Sequence, residues 1–147
     1  MAYDDRYRIT LDRILELVTL LNDDMTASFA RDGLTGSRAH LLWELHHRGP
    51  TTQRTLADAL RVSARNITGL VDGLVDTGFV TREPHPTDRR AILVSFTDKG
   101  AKAAGAMDRD HRELSRLLFD GMPGKRFDGF AAGLDDILDR LRKELTK

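Results

Sequence analysis

At 147 residues the chain has room for one domain, or one domain with attached helices, and its 40% apolar and 31% charged residues fit a folded soluble protein. The absence of cysteine excludes disulfides, thiolate metal sites and cysteine redox switches. A formal net charge of zero counts mildly against nucleic-acid binding, yet the charge is uneven: five basic and eight acidic residues in 1–47, nine and six in 48–102, nine of each in 103–147.

The charged N-terminal stretch has no signal-peptide core, and the richest apolar run, Ile14 to Leu21, is interrupted by Glu16 and too short to span a bilayer. A cytoplasmic location with no membrane partner is expected. Tyr7 to about Ala30 reads as one helix whose apolar residues, among them Leu11, Ile14, Leu15, Val18, Leu21 and Met25, form a stripe wider than a single packing face needs. More than one neighbour must cover it, and a second subunit is a natural candidate. Arg31-Asp-Gly-Leu-Thr-Gly36 breaks that helix. Ser37 caps a second helix through Leu45, which Gly49-Pro50 ends. Thr51 or Thr52 caps a short helix, Gln53 to Leu60. After the turn Arg61-Val62-Ser63, Ser63 caps the next, Ala64 to about Thr77, with Ile67, Leu70, Val71, Leu74 and Val75 inward and Gly78 as its left-handed terminus.

Phe79–Arg82 reads as a strand, Pro84–Arg90 as a turn and Ala91–Phe96 as the returning strand. Thr97 then caps a helix to about Asp120. Gly121-Met-Pro-Gly124 breaks it, and the last helix, Lys125 to Leu145, carries apolar residues at the three- and four-residue spacing of a coiled-coil seam. The fold class expected is mainly α with a small β-hairpin.

Two helices joined by a short turn form a helix-turn-helix, whose second helix enters the major groove of DNA. Arg65, Asn66 and Thr68 lie near the start of that second helix, off its apolar face. Arg can bridge guanine O6 and N7, Asn can pair with adenine, and Thr can serve a base or a phosphate. The helix N-termini at Thr52 and Ser63 offer backbone N–H groups to phosphates, and Gln53, Arg54 and Arg82 complete the candidate set. At the hairpin tip stand Asp88, Arg89 and Arg90. The Asp88 carboxylate is expected to orient the Arg90 guanidinium for a narrow minor groove, with Arg89 on a phosphate.

The runs Thr52–Ser63, Ile67–Leu74 and Gly78–Arg82, followed by Asp88-Arg-Arg90 and Val94–Gly100, closely resemble the MarR (multiple antibiotic resistance regulator) family of winged-helix regulators. Phe96 departs from the leucine more usual there, which bears on packing only. The resemblance implies a winged helix-turn-helix DNA-binding lobe over 35–100 and a helical dimerisation region over 1–34 and 101–147. It implies a homodimer on double-stranded DNA bearing a pseudo-palindromic operator, and a repressor released by a small effector. The alternative is a winged-helix protein-interaction module without specific DNA binding, which the neutral charge favours.

The resemblance also raises a small aromatic or anionic effector in a crevice beside the dimerisation helices. Arg8, His40 and Trp43, with the His46–His47 pair, are the candidates; a core role for Trp43 and a solvated cap role for the two histidines are the plain alternatives. The five histidines include no pair three or four apart on a helix, so no metal is expected. No nucleophile turn, phosphate loop or ligand cluster marks an enzyme, and no cofactor is implied. Asp108, Asp110 and Glu113 are interspersed with Arg109 and Arg112 and read as a solvated face.

Overall fold

The computed structural model describes the backbone of residues 2–31 and 33–147 and the side chains of all of these except 25–31. The side chain of Met25, expected on the first helix's stripe, and Asp32, expected in the break after it, lie outside the described residues. The chain divides into two compact units, Met1–Ala106 and Met107–Lys147.

The first unit opens with α1, Tyr3–Arg31, which starts one turn earlier than the apolar pattern predicts. Asp4 and Asp5 occupy its first turn, where carboxylates complement the positive end of the helix dipole. Most of its described apolar residues are uncovered: Leu11, Leu15, Val18 and Leu20 are all more than half exposed, while Ile14 and Leu21 are half-buried. α2 spans Gly36–Arg48. Its cap is Thr35, not Ser37: the Thr35 hydroxyl accepts the Arg38 N–H at 3.3 Å. Gly49, at φ 75°, ends it.

Thr51–Thr52 forms a short strand, β1, and Thr52 also caps α3, Gln53–Leu60, by accepting the Thr55 N–H at 3.1 Å. α3 closes on Arg61 in the left-handed conformation, φ 56°. Ser63 caps α4, Ala64–Asp76, accepting the Asn66 N–H at 3.1 Å. Gly78, at φ 83°, turns the chain into β2, Val80–Pro84. β3, Ile92–Phe96, returns antiparallel with Val80 opposite Phe96 and Pro84 opposite Ile92. β1 pairs with the other edge of β3, so the expected hairpin is part of a three-stranded sheet ordered β1-β3-β2.

Ile67, Val71 and Leu74, spaced four and three apart, are buried with Leu41, Leu42, Leu45, Leu56, Val80 and Val94 to form the core. Leu70 is only half-buried, and Val75, expected inward, is 36% exposed. α5, Asp98–Phe119, is capped by Thr97, whose hydroxyl accepts the Gly100 N–H at 3.1 Å. Gly100 backs directly onto the Phe79 carbonyl; a Cβ there would sit 1.9 Å from that oxygen. Lys99 spans the same junction, donating to the Thr77 carbonyl at 2.7 Å with its ammonium 4.4 Å from the centre of the Phe79 ring.

In the second unit, the end of α5 turns at Gly121 into α6, Gly124–Leu145. Phe119 meets Phe127 edge-on, with ring centres 5.2 Å apart, and lies 6.2 Å from Phe130. No residue of α6 is buried. Phe130, Leu134, Ile137, Leu138 and Leu141 stay 37–54% exposed along one seam.

Candidate nucleic-acid interface

The site grows from α4. Because Ile67, Val71 and Leu74 anchor one face, the residues on the other azimuths of the first turn stand in solvent, and Arg65, Asn66 and Thr68 are all exposed. Ser63 is occupied as the α4 cap through its own oxygen and Thr52 as the α3 cap. Thr52 also donates to the Thr55 hydroxyl at 2.9 Å. Arg54 is exposed on the first turn of α3.

The other candidates divide into two groups. Gln53, Thr68 and Arg82 are committed to one another. The Arg82 guanidinium donates from Nε to Gln53 Oε1 at 2.9 Å and from Nη2 to the Thr68 carbonyl at 3.2 Å, and pairs with Asp72 at 2.6 Å. Gln53 Nε2 in turn donates to Thr68 Oγ1 at 3.2 Å, and that hydroxyl donates to the Ala64 carbonyl at 2.9 Å. One arginine on β2 thus binds α3 and two successive turns of α4, which holds the base of the wing against the second helix. The five donors of a guanidinium in a fixed fork suit this task, and an ammonium could not span it.

Arg54, Arg65, Asn66, Arg89 and Arg90 are different. Among the described residues their side chains have no hydrogen-bond or ion-pair partner, and all five are exposed. Four guanidinium groups and one carboxamide therefore face solvent from α3, α4 and the wing tip, ready to donate to phosphates or base edges.

The wing tip corrects one expectation. Asp88 does not meet the Arg90 guanidinium; its carboxylate accepts the Arg90 backbone N–H at 3.0 Å, while the Asp88 carbonyl accepts Ala91 N–H at 3.1 Å. Two residues apart in a tight turn, an aspartate reaches the backbone N–H before it can reach a side chain. The turn is also held by His85, whose Nδ1 accepts the Thr87 N–H at 3.2 Å and the Asp88 N–H at 3.1 Å. His85 and Asp72 are absent from the expected set. Asp72 was legible as the residue one helical turn after Thr68; His85 had no signal beyond its place between two prolines.

Of the effector candidates, Arg8 is exposed on α1, and His40 and Trp43 stand one turn apart on α2. His40 is exposed and lies 3.9 Å from Glu44. Trp43 is half-buried, with the His47 ring 4.3 Å away edge-on and the His46 ring 6.1 Å away, and the His47 Nδ1 is 2.8 Å from the Trp43 carbonyl. Among the described residues no group of three His, Asp or Glu side chains is arranged to hold a metal, and no helix is long and apolar enough to cross a membrane.

Residues 34–92 match the family model described as MarR family. An HTH-type transcriptional regulator of Mycobacterium leprae is 39% identical over 56% of this chain and 59% of its own length. The HTH-type transcriptional repressor YetL of Bacillus subtilis is 29% identical over 87% of this chain and 78% of its own length. The chain thus spans little more than half of the first of these relatives. The crystal structure of Streptococcus pneumoniae FabT in complex with DNA superposes with a TM-score of 0.81 at 19% identity, covering 95% of this chain and 97% of that one.

Proposed function

We propose that the chain is a MarR-family transcriptional regulator, a homodimeric, sequence-specific DNA-binding repressor released by a small aromatic or anionic effector. The observation that carries this reading is the division of the arginines. Arg82 locks the wing to α4, and that leaves Arg65 with Asn66 on the helix, and Arg89 with Arg90 on the wing, presented to solvent without partners among the described residues. Arg65 and Asn66 read base edges in the major groove, Arg90 enters the minor groove, and Arg54 and Arg89 hold phosphates.

Dimerisation is supported by two uncovered apolar surfaces, the stripe of α1 and the seam of α6. Apolar side chains left in water forgo about 1.5–3 kcal/mol each relative to burial, and seams of this extent on a soluble protein mark interaction surfaces. A two-fold dimer places two α4 helices in major grooves one helical turn of DNA apart, about 10 bp, and dimer-forming helices explain why a DNA-binding chain has no net charge. In this reading 1–34 and 101–147 make the dimerisation region and 35–100 the DNA-binding lobe. Trp43, with His40 and Arg8, is the proposed effector contact. FabT was crystallised on DNA and YetL is a named repressor, and both support the assignment by analogy.

Selection from randomised duplexes tests it. The intact chain should enrich an inverted repeat, and Arg65→Ala and Asn66→Ala should each change the enriched bases at one position per half-site, by about 1–3 kcal/mol of discrimination. If no duplex is enriched while the protein remains a dimer, the winged-helix lobe is a protein-interaction module.

A further inference from the structure

The wing tip is built on an imidazole. Pro84 and Pro86 flank His85 and bring no N–H to the turn. Of the N–H groups between Thr87 and Ala91, those of Thr87 and Asp88 converge on His85 Nδ1 at 3.2 and 3.1 Å, that of Arg90 goes to the Asp88 carboxylate, and that of Ala91 to the Asp88 carbonyl. The Thr87 hydroxyl also lies 3.3 Å from the same nitrogen. The His85 backbone N–H closes the hairpin onto the Ala91 carbonyl at 3.3 Å. Two of the three backbone N–H groups that side chains hold in the turn thus fall on one lone pair of His85.

We infer that His85 is a positioning residue for the wing, and that it makes DNA binding fall as pH falls. This rests on the wing being a DNA contact, as proposed above. Two backbone N–H donors aimed at Nδ1 require that nitrogen to be unprotonated, with the ring proton on Nε2. An imidazolium has no acceptor. The Thr87 hydroxyl can rotate to accept from a protonated Nδ1, but the two amide N–H groups cannot reverse. Protonation therefore leaves both unsatisfied and releases the turn that carries Arg89 and Arg90. The sign is fixed by geometry: the ordered tip requires a neutral His85 that accepts at Nδ1, and it is lost when the ring is protonated. The charged groups on the two strands and the turn are Arg82, Glu83, Asp88, Arg89 and Arg90, and among the described residues none pairs with His85 within 4 Å.

The opposite role predicts the opposite sign. If His85 simply met a phosphate, the imidazolium would strengthen binding at low pH. The measurement is operator affinity of the intact chain at pH 8 and pH 5.5 and constant salt, for wild type, His85→Asn and His85→Leu. Asparagine offers a non-titrating acceptor near the place of Nδ1; leucine offers none. Wild type should lose about tenfold on acidification, the worth of one to two net hydrogen bonds, relative to His85→Asn, whose affinity should respond less. His85→Leu should be weak at both values. A second readout needs no DNA: in the free protein, the amide signals of Thr87 and Asp88 should titrate together with His85 in wild type and hold still in His85→Asn. Amides that ignore pH in wild type overturn the inference. So does wild-type affinity that rises, or that tracks His85→Asn, on acidification. If the amides titrate but no duplex binds at any pH, the role of His85 in the turn stands, and it is the DNA-binding proposal, with the predicted pH effect, that fails.

Discussion

α4 and α6 are both amphipathic helices, and they use their faces in opposite ways. α4 buries Ile67, Val71 and Leu74 inside its own unit and leaves Arg65 and Asn66 outside. α6, longer by nine residues, buries nothing. Where the apolar face is satisfied within the chain, the exposed polar face is free to recognise something else. Where the apolar face is left in water, that face is itself the surface that recognises. In the proposed reading, one helix meets a polyanion and the other meets a copy of itself.

The strongest way to break this contrast is to charge the α6 seam. Leu134→Asp combined with Ile137→Asp should convert the dimer to monomer in sedimentation. It should also lower operator affinity by at least about a hundredfold, because two linked half-sites become independent, while α4 stays folded. A dimer that survives both aspartates would place the interface elsewhere. Arg90→Ala acts on the other side of the comparison. Operator affinity should fall by about tenfold or more in a mobility assay at fixed salt, with the sedimentation coefficient unmoved. Unchanged affinity would remove the wing from the DNA.

Arg82→Met should have the smallest effect on affinity and the most selective one. Its pair with Asp72 is partly exposed, so that ion pair by itself contributes about 1 kcal/mol or less to stability. With the tie between β2 and α4 gone, base discrimination should relax while the salt dependence of binding stays as it was. An arginine on a phosphate would instead reduce the salt slope by about 0.9 when removed, which makes the slope the deciding number between a holding role and a contacting one.

Much of this was legible in the residues. The four-then-three spacing of Ile67, Val71 and Leu74, the hydroxyl at Ser63 and the glycine at 78 specify a capped, amphipathic helix with a definite end, because each is a local signal. What escaped was set by tertiary or turn geometry. Thr51–Thr52 is too short to show alternation and becomes a strand only because Val94 and Leu93 lie opposite. Thr35 and Ser37 can both cap a helix, and residue type alone does not select Thr35. Val75 continues the apolar run of α4, yet it stays 36% exposed beside the buried Leu74. Arg82 and Arg90 look alike in the sequence; one turns inward because Gln53, Thr68 and Asp72 come together beneath it, a coincidence of three elements that no spacing rule contains. Asp88 and His85 bond to backbone, and the N–H groups they serve belong to a turn whose shape those bonds themselves create.

The mass of the complex on a selected duplex joins the two halves of the comparison in one number. Light scattering of the intact chain on a duplex bearing the enriched inverted repeat should give two 16.5 kDa chains per duplex across the binding range, without a stable one-chain species. A complex holding one chain, or a dimer that leaves the duplex unbound, would contradict the assignment of α4 to DNA and α6 to its own copy.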